Sequence, residues 1–172
     1  NKAKTSLSRN KISGLKIFID NLPINCDLQA HPFSLYSFLE DFDLYDKNPI
    51  CSDDGLKEIK KLLEKHEVKI DSVCADYFME KKLFDMPKDE LEKNLHILKK
   101  LIKNCHHLGI KILEIPLVDA SSLKSKLDEE QFIKNIQKAL PDAEKNDVLI
   151  TLESDLQPTR FKKLLERFNH PN

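Results

Sequence analysis

Residues 147–158 read DVLITLESDLQP and give the clearest indication of the architecture. The apolar, mostly β-branched residues predict a buried strand over 148–152, and Pro158 is expected to begin a helix. Glu153 and Asp155 fall where the predicted strand ends. The carboxyl ends of parallel strands usually carry the functional residues of α/β proteins. Glu153 is therefore a candidate catalytic residue, and a solvated loop carboxylate is the competing interpretation.

Predicted strands and helices alternate along the chain from residue 52 onward. The predicted elements are a helix over 52–66, a strand over 68–74, a helix over 89–108, a strand over 110–115, a helix over 128–146, the strand over 148–152 and a helix from 158. Ser52 is interpreted as an N-cap and Gly109 as a helix terminator. Asp128 with Gln131 is interpreted as the capping box of the helix over 128–146.

This βαβ alternation is typical of a parallel sheet covered by helices. Right-handed connections place the carboxyl ends of all strands on one side, so four acids are expected to meet there, namely Asp76, Asp119, Glu153 and Asp155. Tyr77 follows the predicted strand over 68–74, and lining a substrate pocket or capping the barrel core are its two interpretations. The regular repeat predicts an α/β fold of the (β/α)8 TIM-barrel type, here a partial barrel of about five βα units. An open doubly wound sheet is the alternative, and the lack of a Gly-rich turn weighs against it.

The first quarter of the chain is less regular. Residues 1–36 are interpreted as an N-terminal segment, a candidate for an incomplete first βα unit, and residues 37–172 as the partial TIM-barrel domain. Apolar runs at 15–19 and 37–43 are candidate strands. The chain begins at Asn1 rather than Met, so we expect that residues were removed or that it is part of a longer protein.

Composition argues against several classes of protein. The formal net charge is -1, so binding to nucleic acid through bulk positive charge is not expected. No run approaches the roughly 18 apolar residues of a membrane span, and no signal peptide is visible. The four cysteines form no CxxC pair, which favours free thiols and a cytoplasmic location.

The predicted group of carboxylates indicates a type of chemistry. Carboxylate oxygens favour Mg²⁺, Mn²⁺ or Co²⁺, and an added imidazole favours Zn²⁺. Such an ion polarises a sugar carbonyl or activates water. A carboxylate can equally take a proton from the carbon beside a carbonyl. The histidines form no metal-binding motif, and His106 and His107 are interpreted as helix-end residues.

Three segments together resemble a known family. SVCADYFM (72–79), LGIKILEIPLVD (108–119) and LESDLQP (152–158) are similar in order and spacing to the sugar phosphate isomerase/epimerase proteins of the xylose isomerase-like TIM-barrel superfamily. The resemblance extends over residues 37–172. It implies a barrel with a divalent metal at its mouth (Mn, Mg, Co or Zn), held by acids and a histidine from strands five to eight.

The resemblance also implies roles for individual residues. Glu153 corresponds to the strand-five Glu, which binds the metal and acts in proton transfer between carbons of a ketose. Asp76 and Asp119 match loop positions around the substrate pocket, and we assign substrate binding to them together with Tyr77 and Asp155. The remaining ligands, an Asp, a His and a Glu from strands six to eight, have no counterpart in this chain.

The leading hypothesis is a metal-dependent sugar phosphate isomerase or epimerase, present as an enzyme fragment, that acts on a small sugar or sugar phosphate. One alternative is a non-catalytic truncated barrel that serves as an oligomerisation or interaction module, for instance in a homo-oligomer. A second alternative is a protein resembling abasic-site endonucleases. That activity needs strand-end histidines and a basic groove, and the readable strand ends carry no histidine.

Overall fold

A computed structural model describes residues 33–34 and 48–170, with side chains described from residue 48 onward. In chain order the elements are β1 (Phe33–Ser34), a 3₁₀ helix (Pro49–Cys51), α1 (Asp53–His66), β2 (Ser72–Cys74), α2 (Tyr77–Glu80), α3 (Lys88–Leu108), β3 (Ile112–Leu117), a second 3₁₀ helix (Asp119–Ser121), α4 (Lys126–Ile136), α5 (Leu140–Lys145), β4 (Leu149–Ser154) and α6 (Pro158–Phe168). Within the described residues, no helix has the length and apolar character that crossing a membrane requires.

The four strands form one parallel sheet in the order β1-β2-β3-β4. In the register of this sheet, Cys74 of β2 pairs with Glu114 of β3, and Ile115 of β3 pairs with Leu152 of β4. Helices follow β2, β3 and β4, as in a series of βα units. The predicted βα alternation is therefore confirmed in the part of the chain that the structure describes.

One face of the sheet is buried against helices. Leu113 and Ile115 of β3 point to this face and are 0% exposed, which stabilises the fold by about 2 kcal/mol for each side chain. Successive side chains of a strand point to opposite faces. The opposite face, called the inner face below, carries Cys74 of β2, Glu114 of β3, and Thr151 and Glu153 of β4.

Local interactions explain where the helices begin and end. The Ser52 Oγ accepts a hydrogen bond from the Gly55 N–H at 3.1 Å, which confirms the predicted N-cap of α1. Gly109 follows α3 with φ of 75°, the left-handed conformation predicted for a terminating glycine. Gly55 leaves no room for a side chain, because a Cβ there would lie 2.2 Å from the Pro49 carbonyl oxygen.

The prediction of one helix over 128–146, capped by Asp128 and Gln131, is wrong. Ser125 is the N-cap, since its Oγ accepts from the Asp128 N–H at 3.1 Å while the Asp128 carboxylate accepts from the Ser125 N–H at 2.7 Å. The helix also divides into α4 and α5. Pro141 lacks the N–H that a continuous helix needs, and it lies instead in the first turn of α5.

The strand limits also differ from the prediction. β2 has three residues rather than the seven of 68–74, because its hydrogen bonding to β3 starts at Asp71, whose carbonyl accepts from the Ile112 N–H at 3.1 Å. β3 and β4 each end two residues later than predicted, so Glu153 lies inside β4 rather than after it. The candidate strands at 15–19 and 37–43 lie outside the described residues.

Candidate functional site

Three side chains of the inner face converge toward the carboxyl end of the sheet. Cys74, Glu114 and Glu153 each offer one ligand atom, and these atoms lie within 4.8 Å of one another. Cys74 and Glu114 are direct partners in the register of β2 and β3. Glu114 pairs with Thr151, which is two residues before Glu153 and on the same face of β4. The register of three neighbouring strands therefore builds this group, called the thiol–carboxylate cluster below.

Exposure increases across the cluster from one strand to the next. Cys74 is buried at 5% exposure, Glu114 is half-buried, and Glu153 is exposed. A ligand in the cluster would therefore have solvent on the side of Glu153 and the protein interior on the side of Cys74. The exposed side chain is also the one with most freedom to rotate onto a bound group.

The Cys74 thiol is oriented by a buried carboxylate. Its Sγ donates a hydrogen bond to Asp76 Oδ1 at 2.9 Å, and Asp76 is 2% exposed. Burial raises the pKa of the Cys74 thiol far above its ordinary value, and the hydrogen bonds and negative charges of Asp76 and Glu114 raise it further. A thiolate in this position therefore needs a cation beside it.

Thr151 adds a polar group next to the cluster. Its hydroxyl oxygen is buried and has no hydrogen-bond partner among the residues that the structure describes. Thr151 lies directly across from Glu114 in the ladder and two residues before Glu153. A buried hydroxyl without a partner costs free energy of about 1–3 kcal/mol, so this position favours a ligand that can accept or donate a hydrogen bond.

The other predicted site residues make separate contacts. Asp76 touches the cluster through Cys74. The hydroxyl of Tyr77 donates to Asn94 Oδ1 at 3.2 Å, which connects α2 to α3. Asp155 follows β4 and accepts a hydrogen bond from the Ser122 hydroxyl, so it joins the loops that follow β3 and β4.

Asp119 is exposed and begins the 3₁₀ helix that follows β3. It adopts a positive φ of 51°, a conformation that is uncommon for residues other than glycine and is found more often at functional sites. Asp119 lies after the carboxyl end of β3, in the same connection as Ser122, whose hydroxyl donates a hydrogen bond to Asp155.

Glu114 and Cys74 were not predicted as site residues. Glu114 could have been found, because it is a charged residue inside the apolar run ILEIPL of β3. Alternation along a strand places it opposite Leu113 and Ile115, and therefore away from the helices. Cys74 gives no such signal, since a buried cysteine is an ordinary core residue. Only the register of β2 and β3 brings its sulfur to Glu114.

The donor atoms of the cluster suit a divalent cation. Two carboxylates are ligands for Mg²⁺, Mn²⁺, Co²⁺ and Zn²⁺, and a cysteine sulfur is a ligand for the softer members of that series. Within residues 48–170, Cys74, Glu114 and Glu153 form the group of three potential ligands whose donor atoms lie close enough together to bind one ion. The residues present therefore fit a metal centre that includes the predicted ligand Glu153.

Known proteins show similarity at the level of the fold. A xylose isomerase domain protein from Planctomyces limnophilus has a TM-score of 0.56 at 11% identity, covering 70% of this chain and 46% of that one. The E. coli 3-keto-D-glucoside 4-epimerase YcjR has a TM-score of 0.48 at 11% identity, covering 58% of this chain and 41% of that one. A sugar phosphate isomerase/epimerase from Parabacteroides distasonis has a TM-score of 0.47 at 16% identity, covering 66% of this chain and 43% of that one. No curated protein matches the sequence.

The chain spans less than half the length of each of these structures. The sequence profile of the xylose isomerase-like TIM barrel family matches residues 33–172, which include all four described strands. This match confirms the TIM-barrel fold that the alternation of elements and the sequence resemblance predicted. The chain therefore belongs to the xylose isomerase-like TIM barrel family.

Proposed function

We propose that this chain is part of a metal-dependent isomerase or epimerase that acts on a sugar or sugar phosphate, with Glu153 as metal ligand and proton-transfer carboxylate. The observation that carries the proposal is the convergence of Glu153 with Glu114 and Cys74 on the inner face. Membership of the xylose isomerase-like family supports the barrel setting of this site. Because the chain spans less than half of its structural relatives, the activity of the whole protein is part of the proposal.

The position of Glu153 supports the proposed role in proton transfer. It lies near the carboxyl end of β4, is exposed, and points to the inner face. Its carboxylate would take the proton from the carbon beside the sugar carbonyl, and the electron pair of that C–H bond would move toward the carbonyl oxygen to give an enediolate. Glu153 then returns the proton to the neighbouring carbon, while a hydroxyl proton moves between the two oxygens, and this completes an isomerisation. An epimerisation would instead need a second acid on the other side of the enediolate, which delivers a proton to the opposite face of the original carbon while Glu153 keeps the proton that it took.

A bound divalent ion, Mn, Mg, Co or Zn, would supply the polarisation of the carbonyl that makes the adjacent C–H bond acidic. Glu153 and Glu114 provide oxygen donors for such an ion, and Cys74 lies beside them. The half-buried position of Glu114 fixes one donor, and the exposed Glu153 completes the pair from the solvent side.

The predicted substrate-binding residues divide into direct and indirect roles. Asp119 and Asp155 lie in the connections that follow β3 and β4, where carboxylates accept hydrogen bonds from sugar hydroxyl groups. The role proposed for Asp76 and Tyr77 is indirect, since Asp76 holds Cys74 and Tyr77 contacts Asn94. Sugar specificity is therefore assigned mainly to the two exposed aspartates.

The test compares Glu153→Gln with Glu130→Gln, which removes an exposed carboxylate of α4 away from the sheet. Calorimetric titration with Mn²⁺ is expected to show binding to wild type and Glu130→Gln, and much weaker binding to Glu153→Gln. Incubation of ketoses and ketose phosphates in D₂O with Mn²⁺ then measures deuterium incorporation beside the carbonyl by NMR. Loss of the carboxylate should slow that exchange by about 10²–10⁴-fold. Equal Mn²⁺ binding by wild type and Glu153→Gln would overturn the assignment.

A second candidate function is supported by the outer edge of β4. Within the described residues β4 pairs only with β3, and a groove of about 360 Å³ lies beside it between β4, α6 and α4–α5. Leu149 and Leu165 line this groove and are 41% and 45% exposed. We propose a second copy of the chain as its occupant, because a two-fold pairing of β4 with β4 covers both edges with one self-complementary surface.

Light scattering after size exclusion distinguishes the two functions. A dimer without added metal that dissociates in Leu149→Lys supports the interaction module. A monomer in both proteins argues against the second copy and leaves the metal-dependent enzyme as the proposal. Lys163→Ala, an exposed substitution on α6 outside the groove lining, controls for non-specific effects of changing the surface.

A further inference from the structure

We infer that the sulfur of Cys74 is itself a metal ligand, which makes the thiol–carboxylate cluster a site that selects Zn²⁺ or Co²⁺ over Mg²⁺ or Mn²⁺. The inference rests on the proposed function for the presence of a divalent ion and adds the identity of a ligand and the class of the ion. Carboxylates alone suit the hard ions Mg²⁺ and Mn²⁺, whereas a thiolate favours softer ions. The choice of metal therefore depends on Cys74.

The geometry of the cluster is close to that of a metal centre. The donor atoms of Cys74, Glu114 and Glu153 lie within 4.8 Å of one another. Zinc bonds of about 2.3 Å to sulfur and about 2.0–2.2 Å to oxygen, arranged as a tetrahedron, separate neighbouring ligand atoms by roughly 3.3–3.8 Å. Rotation of the exposed Glu153 side chain can bring its carboxylate closer to the other two donor atoms. Cys74 and Glu114 lie side by side, because their strands pair directly at these residues.

Asp76 is the positioning residue for the sulfur. Its Oδ1 accepts the thiol hydrogen bond of Cys74 at 2.9 Å, and buried carboxylates beside a ligand commonly fix that ligand's orientation. When the sulfur binds an ion, the S–H bond breaks and the electron pair stays on sulfur. The proton passes to the Asp76 carboxylate or through it to water, so charge and atoms balance.

Thr151 is an independent sign of a ligand at this place. Its buried hydroxyl oxygen has no partner in the part of the chain that the structure describes, and it lies across from Glu114 in the ladder. A ligand bound by the cluster, or a water that completes its coordination, would supply the hydrogen bond that the hydroxyl lacks. On the other side of the cluster, Glu153 is exposed.

Cys105 provides the matched control. It is also a buried cysteine, at 0% exposure on α3, and it belongs to no group of three metal-ligating side chains within residues 48–170. Replacing Cys105 removes a thiol from the core without touching the cluster. Replacing Cys74 removes a thiol of similar burial from the cluster itself.

The first experiment is titration of the 172-residue chain with Co²⁺ alone, followed by near-ultraviolet and visible absorption. Wild type and Cys105→Ala are expected to show a sulfur-to-cobalt charge-transfer band with tetrahedral visible bands. Cys74→Ser should lose the charge-transfer band and bind Zn²⁺ at least about tenfold more weakly, while its Mn²⁺ affinity stays close to that of wild type. Circular dichroism and thermal unfolding establish that each variant is folded.

The second experiment needs no variant. X-ray absorption of the Zn²⁺-loaded wild type should show a sulfur scatterer at about 2.3 Å together with oxygen at about 2.0–2.2 Å. An oxygen-only shell, a Co²⁺ complex without the sulfur band, or an absence of binding would overturn the sulfur ligand. The Mn²⁺ and deuterium measurements with Glu153→Gln test the proposed function separately, so an oxygen-only site that still exchanges deuterium refutes this inference alone.

Discussion

Strands β3 and β4 are neighbours in the sheet, yet they differ in strand pairing and in burial. β3 pairs with a strand on each side, and its helix-facing side chains Leu113 and Ile115 are 0% exposed. β4 pairs only with β3 among the described strands, and each of its residues is half-buried or exposed. Both strands nevertheless supply a carboxylate to the same cluster.

The difference separates the source of stability from the place where we propose that ligands bind. Glu114 lies on a strand whose neighbouring side chains are close-packed on the helix side, so displacement of that strand is costly. Glu153 lies on a strand with one free edge in the described structure, where movement costs less. A rigid donor beside an adjustable donor is an arrangement that would suit the proposed metal and leave room for the proposed substrate.

The largest expected effect comes from removing matched side chains of the two strands. Ile115 pairs with Leu152, and only Ile115 is fully buried. Ile115→Ala should lower the free energy of unfolding by about 2–5 kcal/mol, because it leaves a cavity in the core. Leu152→Ala should cost about 1–2 kcal/mol, since much less surface is withdrawn from water. Urea unfolding checks both values, and equal losses would remove the contrast between the strands.

Alkaline pH is expected to lower the free energy of unfolding through the buried thiol of Cys105. Burial raises the pKa of its thiol from 9.0 to about 12. Between these values the folded state keeps a proton that the unfolded state has lost, so stability is fully present below pH 9 and falls as pH rises. From pH 8 to pH 10 the contribution should fall by about 1.4 kcal/mol.

The measurement is the difference in unfolding free energy between wild type and Cys105→Ala at the two pH values. Subtraction removes the effect of lysines and other groups that both proteins share. A difference that does not change between pH 8 and pH 10 would show that water reaches this thiol in the folded state.

An effect of comparable size is expected from the ion pairs that hold α6 onto α4. Glu129 is 7% exposed and accepts from Arg160 Nε at 2.6 Å and Arg167 Nη1 at 3.0 Å. Arg160→Ala leaves the buried carboxylate with one partner and should cost about 1–2 kcal/mol, discounted because Arg160 is partly exposed. Lys162→Ala, which breaks only an exposed pair with Glu166 at 3.9 Å, should cost less than about 0.5 kcal/mol. Thermal unfolding ranks the two variants.

The smallest effect is expected at the groove beside β4. Leu165 is 45% exposed, so Leu165→Gln should change the unfolding free energy of the isolated chain by less than about 0.5 kcal/mol. If a dimer covers the groove, Leu165→Gln should lower the unfolding free energy by more than this, and the loss should depend on protein concentration. Unfolding at two concentrations therefore tests the second copy as well as the stability of the edge.

The sequence was sufficient for elements whose signals are local. Ser52 caps α1 and Gly109 ends α3, as predicted. Local signals were misleading between residues 125 and 146, where Asp128 and Gln131 suggested one capping box although Ser125 with Asp128 forms another. The spacing of the apolar residues suggested one continuous helix. Pro141 lacks the N–H that such a helix needs, so the helix divides into α4 and α5.

The cluster itself depends on information that no short segment contains. Pairing of Cys74 with Glu114 is a property of how two strands align, and a shift of one residue would turn either side chain to the helices. Glu114 could have been suspected from a charge within an apolar strand. The sulfur of Cys74 could not, because burial alone does not distinguish a core thiol from a ligand.

The one-sided pairing of β4 should also be visible in amide hydrogen exchange. The Leu149 N–H donates to the Lys111 carbonyl at 2.8 Å, so by alternation the amides of Thr151 and Glu153 also point toward β3, and those of Ile150 and Leu152 point away. We expect slow and fast exchange at alternate residues along this strand. Protection of Ile150 and Leu152 on mixing with a partner or at higher protein concentration would then report that the edge is occupied.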